Sequence, residues 1–298
     1  MTSKRWLGLL PFALVVGLYA PPRELLAQSR QIGEPIRRTL TVRGAEREYF
    51  VYLPTGFDRN TTYWPLVVVG GGFLETGLVR HVGESRFDAI VIASSGPNGD
   101  VNATRFPALG DGQFIQHVLN EVRKDYRLKA KILLAGYSRG AQFAHRFALA
   151  FPGEVEAVAP LASGTWTTPE GRFLVEEIGE IKNARTFLSD ASNATTLPAR
   201  LHDLFNPEIA AVADSTAAAG AQNVPFLVMC GMLDPRLPIA KEFVRSLEAQ
   251  GYRVAVEWPR TPHVCNRDDA ACSAEFNAEF DRYSRTTVDF FQRVTRGR

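Results

Sequence analysis

A serine flanked by two glycines follows an apolar run near the middle of the chain. The stretch LLAGYSRGAQ, residues 133–142, contains the pattern G-x-S-x-G around Ser138. A strand-like run precedes the pattern and a helical pattern follows it, which is the context in which such a turn lifts a serine hydroxyl out of a sheet. Glycine and serine are also common in ordinary turns, so the motif alone is weak. With strand and helix on either side, it predicts that Ser138 is a nucleophile.

A serine hydroxyl needs a base to accept its proton, and the chain has five histidines. His145 lies seven residues into the helix after the serine, about 10.5 Å along its axis at roughly 1.5 Å per residue, so we interpret it as a helix-surface or packing residue. His81 and His117 lie on predicted peripheral elements, and His202 lies in a long insertion. His263 directly follows the last predicted strand and is therefore the predicted base.

An acid must fix the tautomer of the base and stabilise its positive charge. Asp234, in CGMLDPRLP, follows the penultimate predicted strand and should emerge at the same edge of the sheet. The alternative is a structural turn aspartate before Pro235. The order Ser138, Asp234, His263 is the order expected for this chemistry on a parallel sheet.

The negative charge that develops on a substrate oxygen needs main-chain N–H donors. Arg139, directly after the nucleophile, is the predicted first donor. The second should come from the loop VVVGGGFLETG, where glycines let the main chain approach a substrate, and we assign it to Phe73, with Gly72 as the next choice. A glycine-rich turn without this role is the competing interpretation.

Alternating apolar runs and helical patterns must position these residues. A two-stranded hairpin is predicted first, because RTLTVRGAEREYFVYLP alternates apolar and polar residues. Apolar runs suited to buried parallel strands follow it at 65–69, 89–93, 132–135, 155–160, 225–230 and 253–258. The pattern predicts an α/β fold with a mostly parallel sheet and helices on both faces.

The connection between the sixth and seventh predicted strands is much longer than usual. We interpret about 164–205 as a cap or lid, followed by a helix over 206–219. Three aromatic residues of this segment, together with Phe73, suit the lining of an apolar acyl pocket, although such residues more often serve packing. They are Trp166, Phe173 and Phe187.

At these residues the chain resembles the α/β-hydrolase superfamily, and within it the secreted esterases similar to polyhydroxybutyrate depolymerases and feruloyl esterases. The likeness runs from about 47 to 291 and rests on REYFVYLP, PLVVVGGG, GDGQFIQHVLNEV, GYSRGAQFAHRFAL, VPFLVMCGMLDPRLP and TPH. It implies hydrolysis of carboxylic esters through an acyl-enzyme on Ser138, without a metal or organic cofactor. The chain departs from the family pattern at Gly71, where a histidine is usual, and at Arg139, where a small or apolar residue is usual.

The N-terminus predicts export. Lys4 and Arg5 precede an apolar stretch over 6–20, a layout typical of a signal peptide over 1–27 with cleavage after Ala27, leaving a domain over 28–298 that is secreted or periplasmic. A membrane anchor is the alternative, but the run is shorter than the roughly 20 apolar residues of a spanning helix. We therefore expect no membrane span after cleavage.

The chain has three cysteines. Export would allow Cys265 and Cys272, in the loop HVCNRDDAAC, to form a disulfide, and two free thiols are the alternative. Cys230 ends an apolar run and is interpreted as an inert buried thiol.

Charge and composition exclude some functions. The 34 basic and 32 acidic residues give a net charge of +2 without a long block of one sign, so nothing indicates nucleic acid. There is no H-E-x-x-H zinc motif. The expected partner is a small-molecule or polymer-derived ester. Two alternatives stay open: a peptidase or amidase with the same triad, and a non-catalytic binding protein on a hydrolase scaffold.

Overall fold

A central sheet organises the chain. The computed structural model describes residues 34–42, 45–69, 72–93, 111–175, 179–181, 221–263 and 270–296. In these ranges the strands are β1 Ile36–Val42, β2 Ala45–Tyr52, β3 Trp64–Val69, β4 Ala89–Ala93, β5 Ile132–Tyr137, β6 Val155–Leu161, β7 Thr165–Thr167, β8 Phe173–Val175, β9 Gly179–Ile181, β10 Phe226–Met229 and β11 Val254–Glu257. The α-helices are α1 Gly72–Glu84, α2 Asp111–Asp125, α3 Arg139–Ala150, α4 Leu237–Ala249 and α5 Ala270–Thr295, with a 3-10 turn at Ala221–Asn223.

The main sheet has eight strands in the order β1-β2-β4-β3-β5-β6-β10-β11. Strand β2 is antiparallel to both of its neighbours, β1 and β4. All other neighbouring strands are parallel. The non-consecutive order arises because the chain crosses over the sheet between parallel strands, and this brings β3 and β6 to either side of β5. The predicted mostly parallel sheet is confirmed.

Both faces of the sheet are buried, which explains the continuous apolar runs in the sequence. Side chains alternate between the faces, so Val67 and Val69 of β3 join one core layer while Leu66 and Val68 join the other. Helices α2, α3 and α4 contribute to the first layer, and α1 and α5 to the second. Helices therefore cover the sheet on both faces, as predicted.

The predicted cap begins with three short strands that the sequence did not predict. Strands β7, β8 and β9 form an antiparallel three-stranded sheet within the connection from β6 to β10. Its Trp166 is fully buried and stacks on Phe243 of α4, with ring centroids 4.5 Å apart. Phe173 is also fully buried, beneath the guanidinium of Arg146 on α3.

Of the two interpretations of Trp166 and Phe173, the structure therefore favours packing over the lining of an acyl pocket. The two side chains fill the space between the small sheet and helices α3 and α4, because a three-residue strand buries its apolar side chains only by packing on a neighbouring element. Phe187 and the predicted helix over 206–219 lie outside the described residues.

Two further predictions concern the signal peptide and a membrane span. The predicted signal peptide over 1–27 lies outside the described residues. Among the helices that the structure describes, none is long and apolar enough to span a membrane.

Candidate active site

Ser138 lies in the sharp turn between β5 and α3. Its backbone has φ 54° and ψ −112°, a conformation that side-chain-bearing residues rarely adopt. A Cβ on Gly136 would lie 2.3 Å from the carbonyl oxygen of Gly140, so the first glycine of the motif is required by the close return of the chain. The N–H of Ser138 donates to the carbonyl of Leu161 in β6 at 2.9 Å. These contacts hold the serine at the carboxyl end of the central strand.

His263 follows β11 and points its imidazole at the serine. Its Nε2 lies 3.3 Å from Ser138 Oγ, and its Nδ1 lies 3.0 Å from Asp234 Oδ2. A carboxylate only accepts hydrogen bonds, so Nδ1 carries the proton and Nε2 is left to accept from the serine hydroxyl. This is the tautomer that a general base requires.

Asp234 follows β10 and is buried, with no side-chain surface exposed. The main-chain N–H of Arg236 donates to its Oδ1 at 2.9 Å, while Oδ2 accepts from His263. Burial alone would raise the pKa of Asp234, but the hydrogen bonds from His263 and Arg236 and the charges of both residues hold the pKa below its ordinary value. The carboxyl therefore stays ionised at neutral pH.

The loops that carry Asp234 and His263 are joined by main-chain contacts. The N–H of Met232 donates to Pro259 at 2.6 Å, and the N–H of Leu233 donates to Thr261 at 3.1 Å. A Cβ on Gly231 would lie 2.0 Å from the carbonyl oxygen of Thr261, so only glycine allows this approach. The acid and the base consequently sit on two loops that pack as one unit.

Tyr137, for which the sequence predicted no role, contacts the base directly. Its ring is stacked on that of His263, with centroids 5.3 Å apart and an interplanar angle of 17°. Its hydroxyl donates to the main-chain carbonyl of His263 at 2.5 Å. The available sequence signal was its position, immediately before the nucleophile in the motif.

The structure places the predicted oxyanion donors at two helix starts. Arg139 is the first residue of α3, while Gly72 and Phe73 open α1, which follows β3 next to β5 in the sheet. N–H groups in the first turn of a helix have no partner within that helix, which is the position that the predicted role requires. Gly71 lies outside the described residues. The role of Arg139, Phe73 and Gly72 stays a prediction.

His145 is not on a helix surface. It is fully buried, its Nδ1 donates to the carbonyl of Ala141 at 2.7 Å, and its Nε2 accepts from the N–H of Thr167 at 2.9 Å. Burial, and then the charge of Arg146, lowers the pKa of His145 well below its ordinary value. The side chain is a neutral link between α3 and β7.

Two further histidines lie on helices α1 and α2, and a third is not described. His81 is buried on α1, with Nδ1 2.9 Å from Glu84 and Nε2 2.6 Å from Asp281 of α5. His117 lies on α2 with its side chain exposed. His202 lies outside the described residues. The histidine that the structure brings to Ser138 is His263.

Among the described residues, cysteines and acidic side chains indicate no metal site. Cys230 is a buried free thiol, as the sequence indicated. Cys265 lies outside the described residues, so its pairing with Cys272 stays a prediction. Within the part of the chain that the structure describes, no group of three or more histidine, cysteine, aspartate or glutamate side chains is arranged to hold a metal ion.

Comparisons with known proteins show the fold. No protein-family model matches the sequence, and no curated protein matches it. Among solved structures, the chain is similar to a fluorophosphonate-binding serine hydrolase F from Staphylococcus aureus, with 16% identity, 86% of this chain and 98% of that chain covered, and a TM-score of 0.55. A ferulic acid esterase gives 16% identity, coverage of 85% and 98%, and a TM-score of 0.55.

An acylaminoacyl peptidase from Pyrococcus horikoshii is also similar, with 15% identity and a TM-score of 0.56. The match covers 91% of this chain but 43% of the peptidase. These likenesses and the strand order show that the chain has the α/β-hydrolase fold.

Proposed function

We propose that the protein is a secreted serine hydrolase that cleaves carboxylic esters through an acyl-enzyme on Ser138, with His263 as base and Asp234 as orienting acid. The supporting observation is the continuous hydrogen-bonded relay from Ser138 through His263 to Asp234. Its members come from connections after three different strands, β5, β11 and β10. A relay of this geometry converts a poor nucleophile into an effective one.

The reaction proceeds in two halves. His263 Nε2 takes the proton of Ser138 as Oγ attacks the ester carbonyl carbon, and Asp234 stabilises the imidazolium that forms. Main-chain N–H groups of Arg139 and of Phe73 or Gly72 bind the negative oxygen of the tetrahedral intermediate. The intermediate collapses, the alcohol leaves with the proton from His263, and the acyl group stays on Oγ. His263 then deprotonates a water, which attacks the acyl carbon. The second tetrahedral intermediate collapses, the bond from the acyl carbon to Oγ breaks, and Oγ recovers the proton from His263 as the acid leaves.

Labelling with a fluorophosphonate probe tests the nucleophile. We expect one adduct on the peptide that contains Ser138, and turnover of a chromogenic short-chain ester by the same preparation. Ser138→Ala should abolish both while the circular dichroism spectrum and the melting temperature are retained. Folded wild-type protein that takes no label at Ser138 would favour the non-catalytic binding protein instead.

An amide substrate is the second candidate, because one of the structural neighbours is a peptidase. A matched ester and anilide with the same acyl group separate the two. We expect kcat/KM to be larger for the ester. A larger kcat/KM for the anilide would identify an amidase or peptidase.

We also propose export and a Cys265–Cys272 disulfide. Support for the pairing is that Cys230 is buried and free, which leaves the other two of the three cysteines for each other. In a host with a secretion pathway, we expect the exported form to begin at Gln28. Peptide mapping should show a linked Cys265–Cys272 pair that separates on reduction. A retained leader or alkylated free thiols at these positions would contradict the respective proposal.

A further inference from the structure

The hydrogen bonds of the relay leave one motion of the base unrestrained. His263 is held through Nδ1 by Asp234 and through Nε2 by Ser138. Both bonds act at the edge of the imidazole, so neither strongly resists tilting of the ring about the line that joins the two nitrogens. A tilt would turn the lone pair of Nε2 away from the serine hydroxyl. Hydrogen bonds weaken steeply as they depart from linearity.

We propose that Tyr137 is a positioning residue that holds the imidazole of His263 in the plane required for proton transfer. This inference rests on the proposed function. The ring of Tyr137 lies against the face of the imidazole, with centroids 5.3 Å apart and planes 17° apart, and so opposes the tilt. Its hydroxyl donates to the carbonyl of His263 itself, so the same side chain fixes both the ring and the main chain of the base.

Tyr137 is in turn held from behind by α5. The ring of Phe280 meets it edge to face, with centroids 4.9 Å apart and an interplanar angle of 80°. Phe280 also packs on Phe276 and Tyr283 of the same helix. The side chain that lies against the imidazole is therefore itself fixed by aromatic packing on α5.

The phenol is suited to this role over a wide pH range. Burial, followed by the charge of Asp234, raises the pKa of Tyr137 above its ordinary value. The hydroxyl stays protonated and remains a donor to the carbonyl of His263. Because Tyr137 directly precedes Ser138, one turn of backbone places both the nucleophile and the support of its base.

Three variants separate positioning from general stability. Tyr137→Phe removes the hydroxyl but keeps the ring, and we expect kcat to fall by less than about tenfold, the loss of one hydrogen bond. Tyr137→Leu removes the ring, and we expect kcat to fall by about 100-fold with KM within about twofold, as for a misplaced catalytic group. Tyr252→Leu is the matched control, because Tyr252 is buried in the core layer on the other face of the sheet, against Phe226.

We expect Tyr252→Leu to lower the melting temperature as much as Tyr137→Leu while leaving kcat within about twofold, since Tyr252 contacts no member of the relay. A fall of kcat in Tyr137→Leu no larger than in Tyr252→Leu would overturn the proposal. So would an effect of Tyr137→Leu confined to KM.

A spectroscopic measurement keeps this proposal separate from the proposed function. The Nδ1 proton of His263 should give a low-field NMR signal, identified by its absence in His263→Ala. We expect the signal in the wild type and in Tyr137→Phe, and its broadening in Tyr137→Leu because a tilting ring exchanges that proton with water faster. An equally sharp signal in Tyr137→Leu would overturn the proposal, even if the wild type hydrolyses no ester.

Discussion

At the scale of single residues, the nucleophile is held in an unfavourable backbone conformation. Ser138 has a positive φ of 54°, where a Cβ meets its own main chain. Such conformations cost about 1–3 kcal/mol and persist only when the surroundings enforce them. Here the enforcement comes from the bond to Leu161 and from the contact of Gly136 with Gly140. The turn stores strain at the residue that must be presented to a substrate.

Replacing Ser138 by glycine should relieve this strain and so increase the free energy of unfolding. Both Ser138→Gly and Ser138→Ala lack the hydroxyl and should be inactive. We expect Ser138→Gly to have the larger free energy of unfolding by about 1 kcal/mol, because relief of strain exceeds the entropy cost of glycine, roughly 0.5–1 kcal/mol. Chemical denaturation measures the difference.

The same pair of substitutions at Ser246, within α4, serves as the control and should give the opposite order, since alanine is preferred over glycine in a helix. If Ser138→Gly were less stable than Ser138→Ala by about 0.5–1 kcal/mol, the entropy cost of glycine alone, the turn would not be strained.

At the scale of elements, two helices on one face of the sheet approach unusually closely. A Cβ on Gly77 of α1 would lie 2.2 Å from Oγ and 2.7 Å from Cβ of Ser284 on α5. Near the same contact, His81 of α1 faces Asp281 of α5. A glycine inside a helix, which lowers helix propensity, is here the condition for close packing.

Gly77→Ala should therefore destabilise the protein although alanine favours helices. We expect the free energy of unfolding to fall by about 1–3 kcal/mol, the usual effect of overpacking. Gly153→Ala is the control, because its Cβ would meet nothing within 4 Å. Urea denaturation compares the two, and an equal or greater stability of Gly77→Ala would mean that α1 and α5 separate without cost.

The strands differ in how well the sequence alone predicts them. The run at 65–69 predicted β3, observed at Trp64–Val69, because both faces of that strand are buried and nearly every residue is apolar. Strands β7, β8 and β9 were not predicted because three residues are too few to show a period of two. Their pairing depends on packing against α3 and α4, which no local pattern encodes.

At the scale of the whole molecule, a buried carboxyl sets part of the response to pH. Glu75 of α1 is buried and accepts a hydrogen bond from the hydroxyl of Tyr52 in β2. Burial raises the pKa of Glu75 to about 8, against the opposing effect of that hydrogen bond. An unfolded chain would lose this proton near pH 4.3, approximately the ordinary value. Unfolding between these values releases a proton, so this group lowers stability as pH rises from about 4.3 to 8.

Glu75→Gln should remove this contribution, because an amide stays neutral. We expect the free energy of unfolding of the variant to increase relative to the wild type between pH 5 and pH 8, with a constant difference at higher pH. Denaturant unfolding across this range measures it. Glu248→Gln, at an exposed position of α4, is the control and should run parallel to the wild type. Parallel curves for Glu75→Gln as well would show that the carboxyl is ionised in the folded protein.

The three residues of the relay were predictable from their order in the chain. Ser138, Asp234 and His263 each follow a predicted strand, and parallel strands bring their carboxyl ends to one edge. Tyr137 was not predictable, since its role depends on which way a side chain turns after the sheet has formed. The burial of Glu75, a carboxylate in the first turn of α1, was not predictable for the same reason.

The loops that carry Asp234 and His263 pack closely at Gly231 and Thr261, so the acid and the base form one structural unit. Asp234 and His263 keep their mutual distance because the two loops that carry them share main-chain hydrogen bonds. Anyone grafting a new substrate loop onto this scaffold should transplant residues 231–234 and 259–263 together. Exchanging one alone would leave either the imidazole or the carboxylate without its partner.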